Sequence, residues 1–499
     1  MTSPRRCRAL GALLAGGALL AAGTAAMGAP MASAAGTHPA PTRSTTYDGG
    51  RLGALYDQST TIEAFSSPVV ANVTGHTDGD VDVIAGYADG TLHVWSARTG
   101  RQEFVVKPGP GAIQSSPSIF RTSSTGHLAV LGSNTNGEVF AYTFTGGKAS
   151  RVFYKHVAKT GNPSVNGFFG TPTVADLDKD GKRWIVATSW DQHLYVWSLS
   201  GANKPGFPLW ERDTIWSSPT VATLDGDPYP EIIFGYDCSY VPGQPCYTQY
   251  GRGGGYVTAV THTGRVAAGW PRFVPGQVVW STPAVADLFA NGHKEVIVGT
   301  GLYWKAPAGS QVLAFDAHGK TLPGFPVPLS GRTFSSPAIG DVLGTGHPQI
   351  AIGSENGQTH LVDAYGHRIW NRCTAYLSSC VSSHSSPAIG DLWGTGKQEV
   401  LAVGGNAFHV LDAAGNDLAH AVIPETAVGL AATPTLVNVD GRARLFFCLM
   451  AKAPDGRHAS VVSYALPAPA GRSAWPMFKH DPSRLVGGAG VYVPNAITG

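Results

Sequence analysis

A chain of 499 residues with 14% charged side chains, 43% apolar ones, 64 glycines and 35 prolines is too apolar for a disordered polymer and too rich in turn formers for a helical protein. Its formal net charge of +2, without a dense lysine or arginine stripe, excludes a binder of nucleic-acid backbone. It also exceeds the roughly 250 to 300 residues at which one core stops growing, so a single domain of this length must be built from repeats.

The first 34 residues read as a secretory signal. Arg5, Arg6 and Arg8 precede an apolar stretch from Leu10 to Ala22, and Ala32-Ser33-Ala34 supplies the small-x-small cleavage pattern. The adjacent arginines also permit the twin-arginine route. No later segment reaches the ~18 apolar residues of a membrane span. Loss of the three arginines leaves the mature chain at about −1. Residues 35–60 read as a linker or closing segment, 61–485 as the repeat domain and 486–499 as a C-terminal tail.

From residue 66 onward one phrase recurs eight times: a small hydroxyl residue, a proline, four or five small or apolar residues, a polar loop and an apolar strand. Its prolines are Pro68, Pro117, Pro172, Pro219, Pro283, Pro337, Pro387 and Pro434, spaced 49, 55, 47, 64, 54, 50 and 47 residues apart. A period of this size marks a propeller or solenoid. In the sixth unit Ser336 to Val342 reads as a first strand, Gln349 to Gly353 as a second and His360 to Asp363 as a third. A looser fourth segment follows, with its own echo at Pro205-Gly206-Phe207-Pro208, Ala268-Gly269-Trp270-Pro271, Pro323-Gly324-Phe325-Pro326 and Ala474 to Phe478.

Four antiparallel strands per unit is a propeller blade, and the small residues of each first strand belong nearest the axis, where blades converge. The expectation is all-β: an eight-bladed β-propeller of four-stranded blades, with a seven-bladed ring as the alternative. Residues before Phe65 and after Trp475 are candidates to share the blade that closes the ring.

Five cysteines follow the signal. Cys238 with Cys246, and Cys373 with Cys380, are close pairs in polar loops and read as disulfides in an oxidising compartment. Cys448, inside an apolar run, reads as a buried free thiol.

The strand at Thr171-Pro172-Thr173-Val174-Ala175-Asp176, followed by an aspartate-rich loop, resembles the secreted FG-GAP or VCBS repeat proteins, integrin-alpha-like in their repeats, over residues 60 to 485. That resemblance implies a propeller and leaves function open, because the family includes adhesion receptors, lectins and propellers attached to polysaccharide-degrading enzymes. Its loop commonly binds calcium, a hard cation that needs many oxygens. The matching positions here are Asp176, Asp178 and Asp180 in the third unit, and Asp225, Asp227 and Glu231 in the fourth. The first unit has Asn72, Asp78, Asp80 and Asp82 on a longer loop. The loops led by Asp341 and Asp391 keep one acid and the turn glycines, the pattern of an Asx turn in which carboxylates bond local amides.

Antiparallel strands place the aspartate loops on one face. The insertions Tyr236 to Gly254, Leu302 to Ser310, Lys155 to Phe168 and Arg372 to Ser383 fall on the other, with the residues just before each hydroxyl-proline phrase: Phe65, Gln114, Phe169, Trp216, Trp280, Phe334, His384 and Ala431. These would ring the channel mouth. The ring reads either as core filling the wide end of the channel or as a platform that stacks on sugar rings. Tyr240, Tyr247, Tyr250, Tyr303 and Trp304 in the neighbouring loops favour the platform.

No catalytic constellation stands at a diagnostic spacing. Asp191, Asp237 and Glu355, with Lys305, Arg332 or Arg372 nearby and His384 as a base, are same-face candidates for glycoside or lyase chemistry. The first expectation is therefore a secreted, monomeric, non-enzymatic propeller binding carbohydrate. The alternatives are a polysaccharide-active enzyme on the same face and an adhesion scaffold with a protein partner.

Overall fold

The computed structural model describes residues 38–51, 66–123, 126–157, 167–238, 247–248, 251, 253–302, 310–374, 384–423 and 432–479. Among them the chain forms eight four-stranded antiparallel sheets, and a two-stranded one in which Gln277–Val278 pairs with Gly301–Leu302; the strands of each blade follow one another along the chain, with Gly301–Leu302 interposed in the fifth and the N-terminal strand added to the last. The protein is an eight-bladed β-propeller, with almost no helix among the described residues. The innermost strands each begin at the residue after a repeated proline: Val69–Ala71, Ser118–Arg121, Thr173–Ala175, Thr220–Ala222, Ala284–Ala286, Ala338–Gly340, Ala388–Gly390 and Thr435–Val439. In the sixth blade the second and third strands are Gln349–Ser354 and Gln358–Val362, within a residue or two of the sequence expectation.

Ring closure is the task of the N-terminus. Blade 8 orders its strands as Thr435–Val439, Arg442–Ala453, Gly456–Ala465 and then Thr42–Arg51, which pairs with Gly456–Ala465 from Thr42 opposite Ala465 to Arg51 opposite His458. Tyr47, fully buried, donates its hydroxyl to Ala97 O of blade 1 at 2.7 Å. The last blade is thus held by the first part of the chain, which makes opening the ring a long-range event.

The hydroxyl-proline phrase has a direct physical cause. Ser67 N–H donates to Ser116 Oγ (2.9 Å), Ser116 to Thr171 (3.0 Å), Thr171 to Ser218 (2.9 Å), Ser218 to Thr282 (3.3 Å), Thr282 to Ser336 (3.0 Å) and Ser336 to Ser386 (2.8 Å). Thr433 N–H returns to Ser67 Oγ at 2.9 Å. Seven of the eight blades therefore present one hydroxyl to a neighbour. A hydroxyl one position after the proline adds a second rung: Ser118 to Pro172 O, Thr220 to Pro283 O and Thr435 to Pro68 O, at 2.6 to 2.7 Å. These groups are buried, so each removal leaves a bare polar atom, at about 1–3 kcal/mol.

Residues 469–479 depart from the expectation. Ala474 to Phe478 echoes the fourth segments, and the sequence offers residues after Trp475 to the closing blade, but the fourth position of blade 8 is filled by Thr42–Arg51. Gly471 N–H instead bonds Asp391 O (2.8 Å), Trp475 exchanges both backbone bonds with Ile389 (2.8 and 2.9 Å), and Pro476 O accepts from Leu436 N–H (2.9 Å). Ile389 and Leu436 belong to the innermost strands of blades 7 and 8, whose inner edges would otherwise leave ladder groups unpaired. Met477 is fully buried, and Lys479, 2% exposed, donates its ammonium to Pro219 O of blade 4 at 2.5 Å. This stretch runs inside the central channel.

Candidate functional site

The two ends of the inner strands are built differently. At one end are the aspartate turns, where Asp176 accepts from Asp180 and Gly181 N–H, Asp287 from Asn291 and Gly292, Asp341 from Thr345 and Gly346, and Asp391 from Thr395 and Gly396, at 2.7 to 3.2 Å. Both oxygens of the leading carboxylate thus serve their own loop. The first residue of the second strand finishes the turn: Leu224 N–H bonds Glu231, Leu288 Glu295, Leu343 Gln349 and Leu392 Glu399.

Of the six residues at the calcium-loop positions, the third-blade set is engaged internally. Asp178 takes Lys204 Nζ at 2.6 Å, His262 Nδ1 at 2.9 Å and Trp184 Nε1 at 2.9 Å, and Asp180 takes Lys182 Nζ at 2.7 Å. The fourth-blade set does converge: Asp225, Asp227 and Glu231 each offer an oxygen, all within 4.8 Å of one another. Burial, with the neighbouring Asp225 and Asp227, pushes the Glu231 carboxyl up to about 7.

At the other end, the residues before the hydroxyl-proline phrases form a continuous arc. Phe169 lies 5.0 Å from Trp216 between ring centroids, Trp216 4.6 Å from Trp280 with planes 28° apart, Trp280 4.7 Å from Phe334, and Phe334 4.4 Å from His384. Trp190, in the turn between the second and third strands of blade 3, joins it: it stacks on Phe169 at 3.9 Å and stands edge-on to Trp216 at 4.1 Å. Sequence reading missed Trp190. The signal was its place in a strand two to three turn, which shares this face. All six rings are half-buried, unlike the core aromatics Trp95, Phe140, Phe234, Phe408 and Phe446, which are below 2% exposed. The indole N–H groups of Trp190 and Trp216 are buried and have no acceptor among the described residues.

Acidic side chains hold the arc from outside. Trp280 Nε1 donates to both oxygens of Asp237 (3.1 and 3.0 Å), which also accepts from Thr214 Oγ1 at 3.2 Å. Burial, then the neighbouring Asp213, drives the Asp237 carboxyl well above its ordinary range. Glu355 behaves oppositely. Burial would raise it, but the nearby His384 imidazole and the hydrogen-bonded Arg332 guanidinium outweigh that and hold it at about 2. Its ion pair with Arg332 and the 3.6 Å approach of His384 Nε2 fix the histidine end of the arc. Asp191 is buried, accepts from Tyr195 Oη at 2.6 Å and orients His193. Arg372 is turned to the next blade, bonding Gly415 O and Ala414 O.

Phe65, Tyr303, Trp304, Tyr240, Tyr250, Lys305 and Ala431 lie outside the described residues, as do most of the long insertions. So do Cys246 and Cys380, and with them the two expected pairings. Cys238 is fully buried and Cys373 nearly so, and among the described cysteines Cys448 is free and buried. No helix among the described residues is long and apolar enough to cross a membrane.

No family model matches this chain. Over 188 residues, 36% of its length, it is 23% identical to WD repeat-containing protein 90 of Xenopus tropicalis, a stretch amounting to 9% of that protein. Among solved structures it is similar to BamB of Moraxella catarrhalis, with a TM-score of 0.51 and 12% identity, covering 85% of this chain and all of that one. It is similar also to Sqt1 of Saccharomyces cerevisiae, with a TM-score of 0.53 and 11% identity, covering 86% and 100%. At such identities the likeness is one of fold, the β-propeller, with WD-repeat proteins among its relatives.

Proposed function

We propose that this chain is a secreted ligand-binding propeller that holds an extracellular glycan on the aromatic arc of its channel mouth. The observation that carries the reading is the unbroken row of six half-buried rings from Trp190 to His384. Flat faces in a curved row suit sugar rings, and the flanking Arg332 and Glu355 suit hydroxyl groups. Lys479 lies within the channel behind the mouth, so the surface is a platform rather than a pore. Export by the signal in residues 1–34 belongs to the same proposal, as do the pairings Cys238–Cys246 and Cys373–Cys380 in an oxidising compartment.

The test is retention of the mature chain, residues 35–499, on a panel of plant, fungal and bacterial polysaccharides, with reducing and unsaturated ends assayed together. Retention without products supports the reading. Products would make the protein a polysaccharide-active enzyme, with His384 and Glu355 the first residues to change. No retention on any glycan, with Trp216 and Trp280 still required for capture of a protein ligand, would favour the adhesion scaffold, a use of the fold to which the WD-repeat likeness is relevant.

Calcium belongs with the proposal at Asp225, Asp227 and Glu231, where three carboxylates converge. Excess calcium is expected to raise Tm and Asp225→Asn to abolish the rise, because an ion bound only by the folded state stabilises it. An unchanged Tm with calcium and with chelator would remove it.

A further inference from the structure

The outer strands of blade 7, Ala407–Leu411 and Asp417–Val422, place His409 directly opposite His420. A bulge after Val410 then pairs Leu411 with Asp417. In an unbulged ladder Leu411 would face Leu418, and Asp417, three residues from His420, would point to the opposite side of the sheet. The bulge brings the carboxylate round to the two imidazoles. His409 Nδ1 lies 3.0 Å and His420 Nδ1 2.8 Å from the same oxygen, Asp417 Oδ2. His409 is 5% exposed, whereas the His420 side chain is 32% exposed and opens the cluster to solvent. Asp417 Oδ1 and His409 Nε2 are buried without a hydrogen-bond partner among the described residues. Two imidazole nitrogens within 3.0 Å of one carboxylate oxygen while the other oxygen is left bare is a poor arrangement for hydrogen bonding. It is a good one for a shared cation.

Blades 1 and 6 carry the same bulge and serve as internal controls. In blade 1 the equivalent positions are His93, Gln102 and Val105, and His93 has both ring nitrogens bonded, to Gln102 Oε1 and Thr91 Oγ1 at 2.9 Å. In blade 6 they are His360, Arg368 and Asn371, and the arginine repels a cation. Of these three blades, blade 7 alone combines two histidines with an acid. A second convergent group, His76 with Asp82 and Glu103, is already occupied: Asp82 accepts from Val73 and Thr74 and Glu103 pairs with Arg101.

We infer that His409, Asp417 and His420 form a binding site for a divalent transition-metal ion of the zinc class, held by two imidazole nitrogens and one carboxylate oxygen, with water on the solvent side. Imidazole donors favour such an ion over calcium or magnesium. Ligands about 2.0–2.2 Å from a tetrahedral ion stand about 3.4 Å apart, so the cluster needs to open by only a few tenths of an ångström. The site is on the outer strands of its blade and independent of the aromatic mouth.

The test is titration of the chelator-stripped mature chain with Zn2+ by calorimetry and with Co2+ by visible absorption. One equivalent is expected, with the d–d bands of a tetrahedral nitrogen and oxygen field, and a Tm rise of about 3 °C at hundredfold excess over Kd. His420→Ala, a partly exposed change that leaves the metal-free Tm near its original value, is expected to abolish binding, and Asp417→Asn to weaken it more than tenfold. Asp225→Asn is expected to leave it intact. The inference is overturned if Zn2+ binding is not saturable, or if it survives both blade 7 changes.

Discussion

The two ends of the inner strands differ in how their polar and aromatic groups are satisfied. At the aspartate-turn end Asp176, Asp287, Asp341 and Asp391 each spend both oxygens on amides of their own loop, the same solution in four blades. At the mouth the side chain changes along the arc: phenylalanine, tryptophan, tryptophan, phenylalanine and histidine follow one another from blade 3 to blade 7, with Asp237 at Trp280 and Glu355 beside His384. Repetition with internal satisfaction is what a scaffold needs. Variation with half-open rings is what recognition needs.

The largest effect that would break this contrast is on binding. Trp216→Ala or Trp280→Ala is expected to cut glycan retention roughly tenfold or more, since a stacked ring contributes about 1–1.5 kcal/mol beyond its area. Affinity chromatography beside circular dichroism checks it, and unchanged retention by well-folded variants would remove the mouth from consideration. At the opposite end Asp391→Ala is expected to cost about 2 kcal/mol of stability through two charge-assisted bonds while binding is unaltered, as read by urea denaturation and by the same column.

A smaller effect separates the ends by pH. Burial lifts Glu231 and Glu399 to about 7, so the protonated forms stabilise the fold below about 4.5 and this contribution is lost as pH rises through 7. Glu355 is held at about 2, so its contribution is present above about 4.5 and is lost as pH falls towards 2. Tm measured from pH 3 to 8 should therefore flatten on its alkaline limb in Glu231→Gln with Glu399→Gln, the residue type blade 6 carries at Gln349. It should flatten on its acid limb in Glu355→Gln. Identical profiles in all variants would dissolve the distinction.

Much of the fold was legible because each blade repeats one local problem. Proline spacing marked the eight inner strands, and the hydroxyl before each proline recurred because every blade must satisfy its neighbour's amide, as in Ser116 to Thr171. The arc from Phe169 to His384 was legible for the same reason, since each member holds a fixed place in the phrase. Trp190 escaped notice because it belongs to a hairpin rather than to the phrase.

What sequence determined by itself was therefore periodic: the place of the eight inner strands and the order of strands within a blade, both consequences of alternating strands and regular turns. Tertiary structure alone decided the contacts that the period does not set. Thr42–Arg51 closes blade 8, residues 469–479 enter the channel until Lys479 meets Pro219, and a single bulge turns Asp417 towards His409 and His420. These contacts join residues hundreds of positions apart or depend on a one-residue register shift, and neither distance in space nor register is written in a local pattern.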